Sequence, residues 1–463
     1  MTDAARRRCG PGRDAVRGPG NGRRLTDRAA RYRVDVSDAL ATDASRCLHT
    51  PRHTHPDVEC GHLLHLVAEA AAEEVAGTAD SADEVLLAYR EDLRQDLPLV
   101  ESTLARYNAV LASTVQHANS DEMSRLIDAP LPVFDTVVVD EAARANPLDL
   151  MIPMALARRR IILVGDHRQL PHVLEQKIER ELRRNRTLEG SELAKSLFER
   201  WFELFEGTTP VRTIQLRTQF RMHPELGRFV SEVFYGGPNM IDSDPSTKRL
   251  THELSTYAGK LAAWIDVPAA AGGEERNGTS WTRPAEAKRL VRELSALSAL
   301  DCDRKLSFGV ITFYKAQQEL LEAELQQAGL AVADDDGAFV PVPAMELTAE
   351  DRPRPRLRVG TVDAFQGMEF DVVLLSVTRS STAQQPLGSP ADAVRRYGHL
   401  LSDSRMCVAM SRQRRLLIAV GDAAMAERSA TPEMPGRPGR SVAEGIVAFR
   451  EFCEGVHGAG IRS

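Results

Sequence analysis

Two carboxylates follow a short valine run, Val137-Val138-Val139-Asp140-Glu141-Ala142. If the run is a strand of an open parallel sheet, the pair sits at its carboxyl end, where such sheets bind ligands. There Asp140 can hold a Mg2+ ion through its water shell, and Glu141 can orient or deprotonate an attacking water. The other reading of the pair is a loop start or a helix N-cap. A second apolar run, Ile161 to Val164, leads into Gly165-Asp166-His167-Arg168-Gln169-Leu170-Pro171. The 26 residues from Asp140 to Asp166 fit one helical crossover, which brings both strand ends to the same edge of a sheet. Gln169 can then sense a terminal phosphate or position the water. A plain turn would not need this particular string.

The elements that must carry these side chains can be read from periodicity. Residues 1 to 46 lack apolar periodicity, and Gly10 to Arg24 is broken by Pro11, Pro19 and five glycines. Leu63 to Val75 and Ala82 to Leu97 have helical spacing. Val133 to Val139 reads as a strand buried on both faces, Pro147 to Ala157 as a helix with proline in its first turn, and Ile161 to Val164 as the next buried strand. The charged helical stretch Glu175 to Phe205 reads as a connector. A second series follows: strand Arg212 to Leu216, helices Glu225 to Phe234 and Ala285 to Leu297, strand Phe308 to Phe313, and helix Ala316 to Ala328. After a polar excursion from Asp334 to Pro355 come strands Leu357 to Thr361 and Val372 to Val377, helix Ser402 to Met410, and strand Leu416 to Val420. Strands alternating with helices indicate an α/β fold with parallel sheets, here two α/β domains in tandem joined near Gly207.

Composition bounds the function. The 463 residues have 43% hydrophobic and 27% charged side chains, enough for two or three domains with real cores. No apolar run reaches the roughly 18 to 20 residues of a membrane span, and residues 1 to 22 have no apolar secretory region. Six scattered cysteines read as reduced thiols, so a cytoplasmic protein is expected. A net charge of −7 rules out a uniformly basic nucleic-acid binder but not a local basic groove.

The motifs together resemble the superfamily 1 helicases, specifically the up-frameshift-like branch. After the two carboxylate strands, Gln219-Phe220-Arg221-Met222-His223-Pro224 is similar to Q-Y-R-M-H-P, with phenylalanine for tyrosine. Ile311-Thr312-Phe313-Tyr314-Lys315-Ala316-Gln317 is similar to I-T-P-Y-x-x-Q, with phenylalanine for proline. Gly360 to Asp371 contains V-D-x-F-Q-G-x-E, and Val408 to Gln413 stands where the family has V-A-L-T-R-A. Six motifs in family order span about 60% of the chain.

The resemblance implies two tandem RecA-like domains with parallel sheets: a partial first domain at residues 47–207 and a second at 208–463, with ATP and Mg2+ in the cleft between them. It implies that Arg221 and Arg412 are arginine fingers for the γ-phosphate, that Phe220 stacks on the base, and that Glu369 meets the ribose or its metal. Gly165, Asp166 and Gly367 join the nucleotide site by the same resemblance, while Thr361 and Gln366 lie near the nucleotide or the nucleic-acid backbone. Thr54 and His55 resemble a family motif that grips single strands, and Thr114 ends a strand preceding the carboxylates. The partners implied are single-stranded DNA or RNA, with upstream domains of a larger enzyme compatible with this reading.

One departure stands out. No G-x-x-x-x-G-K-[ST] string occurs in the chain, and the nearest, Gly18 to Arg24, has Arg23 and Arg24 where lysine and a hydroxyl belong. The chain is therefore either a degenerate ATPase or a helicase whose residues 1 to about 50 do not represent the ancestral region. A non-hydrolysing nucleic-acid-binding or truncated module is the alternative function. The Cys/His-rich stretch from Cys47 to His65 has no common zinc-finger spacing and no second cluster, so no zinc site is expected.

Overall fold

A computed structural model describes residues 90, 91, 94, 110–121, 123, 133–170, 195–237, 240–348, 354–380, 390–434 and 437–463. Leu104–Ser463 forms one compact unit of the chain. The P-loop-like string, Thr54, His55, the Cys/His-rich stretch and most of the helical segments expected before residue 104 lie outside the described residues.

The first series contributes β1 (Phe134–Val139), α1 (Pro147–Met154) and β2 (Ala157–Leu163). Asn146 caps α1 by accepting the Leu148 N–H, and Pro147 occupies the first turn, where no amide donor is needed. β1 and β2 are parallel neighbours, with Val139 opposite Leu163, so Asp140 and Val164 leave the pair at the same edge. The crossover reading holds. The expectation of strands buried on both faces does not: Val138 is 61% exposed, and Ile161 and Ile162 are exposed as well. Among the described residues these two strands pair only with each other, which leaves much of their apolar surface uncovered. α2 (Leu197–Phe205) packs Leu197 and Phe198 against their inner end at Val139, Ala142 and Leu150.

The second series begins with α3 (Pro224–Phe234), followed by β3 (Ala262–Asp266), α4 (Pro284–Leu300), β4 (Phe308–Thr312), α5 (Lys315–Gln327), β5 (Leu357–Thr361) and β6 (Phe370–Ser376). It ends with α6 (Pro390–Tyr397), α7 (Asp403–Ala409), β7 (Gln413–Gly421), α8 (Glu444–Glu454) and β8 (Gly458–Arg462). Six strands form one all-parallel sheet in the order β5-β4-β6-β7-β3-β8. Alternation along each strand sorts side chains onto two faces. Ile311, Val373, Leu375, Leu417 and Trp264 meet α3 and α8 on one face, and Val310, Leu374, Ile418 and Ile265 meet α4 and α5 on the other. Burying each such side chain contributes roughly 1.5 to 3 kcal/mol, and two covered faces explain the nearly continuous apolar strands.

Arg212 to Leu216 is not a strand. Among the described residues it pairs with no strand, Ile214 and Leu216 are exposed, and the ladder begins only at Thr218–Gln219 against Asp242–Ser243. Among the described residues no helix is long and apolar enough to cross a membrane.

Candidate active site

Backbone geometry at the two strand ends brings the acidic residues together. Val164 N–H donates to Val139 O at 2.8 Å, and Ala142 N–H donates to Val164 O at 2.9 Å. A Cβ on Gly165 would lie 2.9 Å from the Ala143 backbone nitrogen, so only glycine allows this approach. Glu141 takes the left-handed conformation, φ 52°, while its N–H donates to Asp140 Oδ1 at 2.9 Å. A non-glycine residue held there is the kind of local strain that clusters at functional sites. Asp166 closes a tight turn by accepting Arg168 N–H on Oδ1 and Gln169 Nε2 on Oδ2, each at 2.9 Å.

The second series supplies the opposing wall from segments that enter β6 and β7. Gln366 Nε2 donates to Glu141 Oε2 at 3.1 Å. Arg412, buried to 1% exposure, donates from Nη2 to Gln169 Oε1 at 3.2 Å and to Ser411 Oγ at 2.8 Å, and from Nε to Val408 O at 3.1 Å. Burial, with the Arg221 guanidinium nearby, brings Arg412 down to about 10, which still leaves it a cation at neutral pH. Arg221 donates from Nη1 to Ser411 O at 3.0 Å. Gln219 shapes its loop by accepting the N–H groups of Arg221 and Met222 on Oε1, each at 2.9 Å.

Glu369 lies between two cations, 3.5 Å from Arg221 Nε and 3.8 Å from Arg414 Nε. Gln366, grouped with the nucleic-acid contacts, lies on the Glu141 carboxylate. His223 caps α3, its Nδ1 accepting Glu225 N–H at 3.3 Å, and burial lowers its pKa. Phe220 projects from the same loop, 67% exposed. Gly367 supplies the left-handed turn, φ 79°, between Gln366 and Glu369. Thr361 ends β5 opposite Thr312, at the far edge of the sheet, and exposed Thr114 accepts His117 N–H at 3.2 Å. Among the described residues neither threonine contacts the acidic residues.

The donor set fits a hydrated divalent cation rather than one ligated directly by several side chains. Asp140 is exposed, and among the described residues no three His, Cys, Asp or Glu side chains gather around one point. Gln366 Oε1 is buried beside Glu141 with no hydrogen-bond partner among the described residues. Sequence reasoning missed Tyr235 and Arg414. Tyr235 follows an apolar helix with nothing in spacing to mark it, yet its hydroxyl donates to Asp166 Oδ2.

Comparison with known proteins agrees with this architecture. An AAA domain family model, AAA_12, matches residues 193–424, half of the chain, and a second AAA domain model, AAA_11, matches residues 65–177. The chain is 27% identical over 371 residues to the ATP-dependent helicase NAM7 of Saccharomyces cerevisiae, covering 78% of this chain and 32% of that protein. It is 26% identical over 351 residues to the regulator of nonsense transcripts 1 homolog of Drosophila melanogaster, covering 76% of this chain and 25% of that one. To the DNA polymerase alpha-associated DNA helicase A of S. cerevisiae it is 25% identical, covering 73% of this chain and 46% of that one. The chain thus spans between a quarter and a half of the length of these relatives. With the AAA domain family matched over half its length and Glu141, Gln169, Gln366 and Arg412 meeting across one cleft, the chain belongs to the superfamily 1 helicases of the up-frameshift-like branch.

Proposed function

We propose that this chain is an ATP-dependent motor core that hydrolyses ATP in the cleft between its two series and moves along single-stranded DNA or RNA. One observation carries the reading: Arg412 on Gln169 and Gln366 on Glu141 put residues from both series on one cleft. A cleft closed from both sides can turn nucleotide binding and release into relative motion of the two walls.

In this reading Glu141 orients the attacking water and takes its proton as the water oxygen bonds to the γ-phosphorus and the bond to the β-phosphate oxygen breaks. Arg412 and Arg221 face the charge that develops on the phosphoryl oxygens. Asp140 would hold the water shell of Mg2+. When bound, the ion would supply neutralisation of the phosphate charge. Phe220, exposed on its loop, offers a face for the base. Strand binding would rest on backbone contacts and a few stacked bases, so it should be salt-dependent and tolerant of sequence.

Three described cysteines are free thiols, as a reducing compartment allows, and we place the motor in the cytoplasm. The share of the relatives that the chain spans is compatible with additional domains as partners.

The test is ATP turnover by the purified chain with and without single-stranded DNA and RNA, beside Asp140→Ala. Strand-stimulated turnover that the substitution abolishes supports the motor. Absence of turnover with salt-sensitive strand binding intact overturns it in favour of a non-hydrolysing binding module.

A further inference from the structure

Asp166 receives two donors on one oxygen, and they come from opposite walls of the cleft. Gln169 Nε2 donates to Oδ2 at 2.9 Å from within the same turn, and the Tyr235 hydroxyl donates to Oδ2 from the far side. Behind Tyr235 stands the buried Cys407 on α7, whose thiol donates to the tyrosine oxygen at 3.8 Å. The other side-chain oxygen of the system, Gln169 Oε1, accepts from Arg412, five residues beyond Cys407. Donation therefore runs one way, from Cys407 to Tyr235 to Asp166, while Arg412 and Asp166 hold the two ends of the Gln169 amide.

Local structure explains why Tyr235 reaches this place. It caps α3, its N–H donating to Ser231 O at 3.1 Å. The turn beyond is tied back through Ser231, whose hydroxyl donates to Gly237 O at 2.6 Å and accepts Ile241 N–H at 2.9 Å. The other end of α3 follows the Arg221 loop directly. One rigid helix thus links the arginine loop to the hydroxyl that holds Asp166. Burial beside Asp166 and Cys407 drives the tyrosine pKa up, so the group stays a donor throughout the working pH range.

We propose that Tyr235 is a positioning residue: its hydroxyl, acting through Asp166, holds the Gln169 amide on Arg412 and couples closure of the cleft to the position of α3. The proposal rests on the reading of the cleft as the ATP site, and it deepens that reading by naming the contact that regulates it. Among the described residues the Tyr235 hydroxyl bonds Asp166 and Cys407 and reaches Gln169 and Arg412 only through Asp166. Its loss should therefore slow the chemical step without weakening substrate capture.

Tyr235→Phe removes the hydroxyl and keeps the ring. With saturating strand, it is expected to lower kcat for ATP about ten-fold and leave KM within about two-fold, the signature of an interaction that matters in the transition state rather than in binding. Because the two side chains act as one unit, the double variant Tyr235→Phe/Gln169→Ala should lose no more kcat than Gln169→Ala alone. A readout independent of turnover accompanies these: amide hydrogen exchange in residues 164–170 should rise several-fold in Tyr235→Phe, with β4 and β6 unchanged. Unchanged exchange in 164–170, or unchanged kcat in an active protein, overturns the proposal. Additive losses in the double variant also overturn it. If the wild-type chain turns over no ATP, the motor reading fails, and hydrogen exchange alone decides whether Tyr235 holds the Asp166 turn.

Discussion

Gln366 Nε2 donates to Glu141 Oε2 at 3.1 Å, although 225 residues separate them in the chain. The contact joins a carboxylate at the end of one sheet to a loop that feeds a strand of the other. It also orients the Glu141 side chain, whose own backbone is held in a left-handed conformation. Two independent restraints on one carboxylate are what a group acting on a water at a fixed position requires.

Glu141→Gln keeps the shape and the partner, because the amide oxygen can accept from Gln366, but removes the proton acceptor. Turnover should fall by about 100-fold or more, while nucleotide affinity stays within a few-fold. Parallel steady-state kinetics and equilibrium nucleotide binding check this. Retained turnover would remove Glu141 from the role of base.

Phe220→Ala tests the exposed ring. Stacking of a base on an aromatic side chain contributes about 1 to 3 kcal/mol, so KM for ATP should rise by about five-fold or more with kcat little changed. Because the ring is exposed, the melting temperature should stay where it is. A loss of thermal stability in place of a KM effect would show that the ring packs rather than binds.

Much of this arrangement is legible in the sequence, and the misses have physical reasons. Leu357–Thr361 is found with its expected limits although it is an edge strand with Arg358 exposed, because the alternating Leu357 and Val359 pack on the same face as α4 and α5. β3 escapes notice because Ala262-Ala263-Trp264-Ile265-Asp266 carries only one β-branched residue, its burial coming from packing on neighbours instead. β8, with glycines at 458 and 460, has little strand propensity and exists because β3 offers it an edge. Arg212 to Leu216 shows the converse, a plausible strand pattern that finds no partner among the described residues. The acidic pairs and arginines are readable because their strings are compact. Tyr235 and the second cation on Glu369, Arg414, are not, since only tertiary structure brings them to the site.

Gly165→Ala should damage the strand ends rather than the chemistry. Its Cβ would meet the Ala143 backbone nitrogen at 2.9 Å, and backbone cannot move aside as a flexible side chain can. Overpacking of this kind costs about 1 to 3 kcal/mol. The expected outcome is a lowered unfolding midpoint in denaturant with the slope unchanged, accompanied by reduced turnover. Unaltered stability would mean that β1 and β2 separate easily at this end.

The last prediction concerns a group far from the cleft. Glu286, on α4, is fully buried and paired with the equally buried Arg283, whose Nη1 lies 3.3 Å away. Its Oε1 accepts Thr378 N–H at 2.8 Å and the Ser376 hydroxyl at 2.5 Å, so it fastens the end of β6 to the start of α4. Burial nevertheless dominates and pushes the carboxyl from 4.5 up to about 7, with Arg283 and the hydrogen bonds opposing it. A carboxyl whose folded pKa exceeds its unfolded one binds more protons in the native state between those two values. Stability therefore falls as pH rises from about 4.5 to about 7 and levels off above that, by on the order of 3 kcal/mol from this group. Glu286→Gln resembles the protonated side chain and cannot titrate. Its unfolding free energy, measured in denaturant from pH 5 to pH 8, should lack that share of the decline and approach or exceed the wild type at the alkaline end. If the wild type and Glu286→Gln instead run parallel across the range, the carboxylate is charged in the fold throughout and the ion pair with Arg283 outweighs its burial.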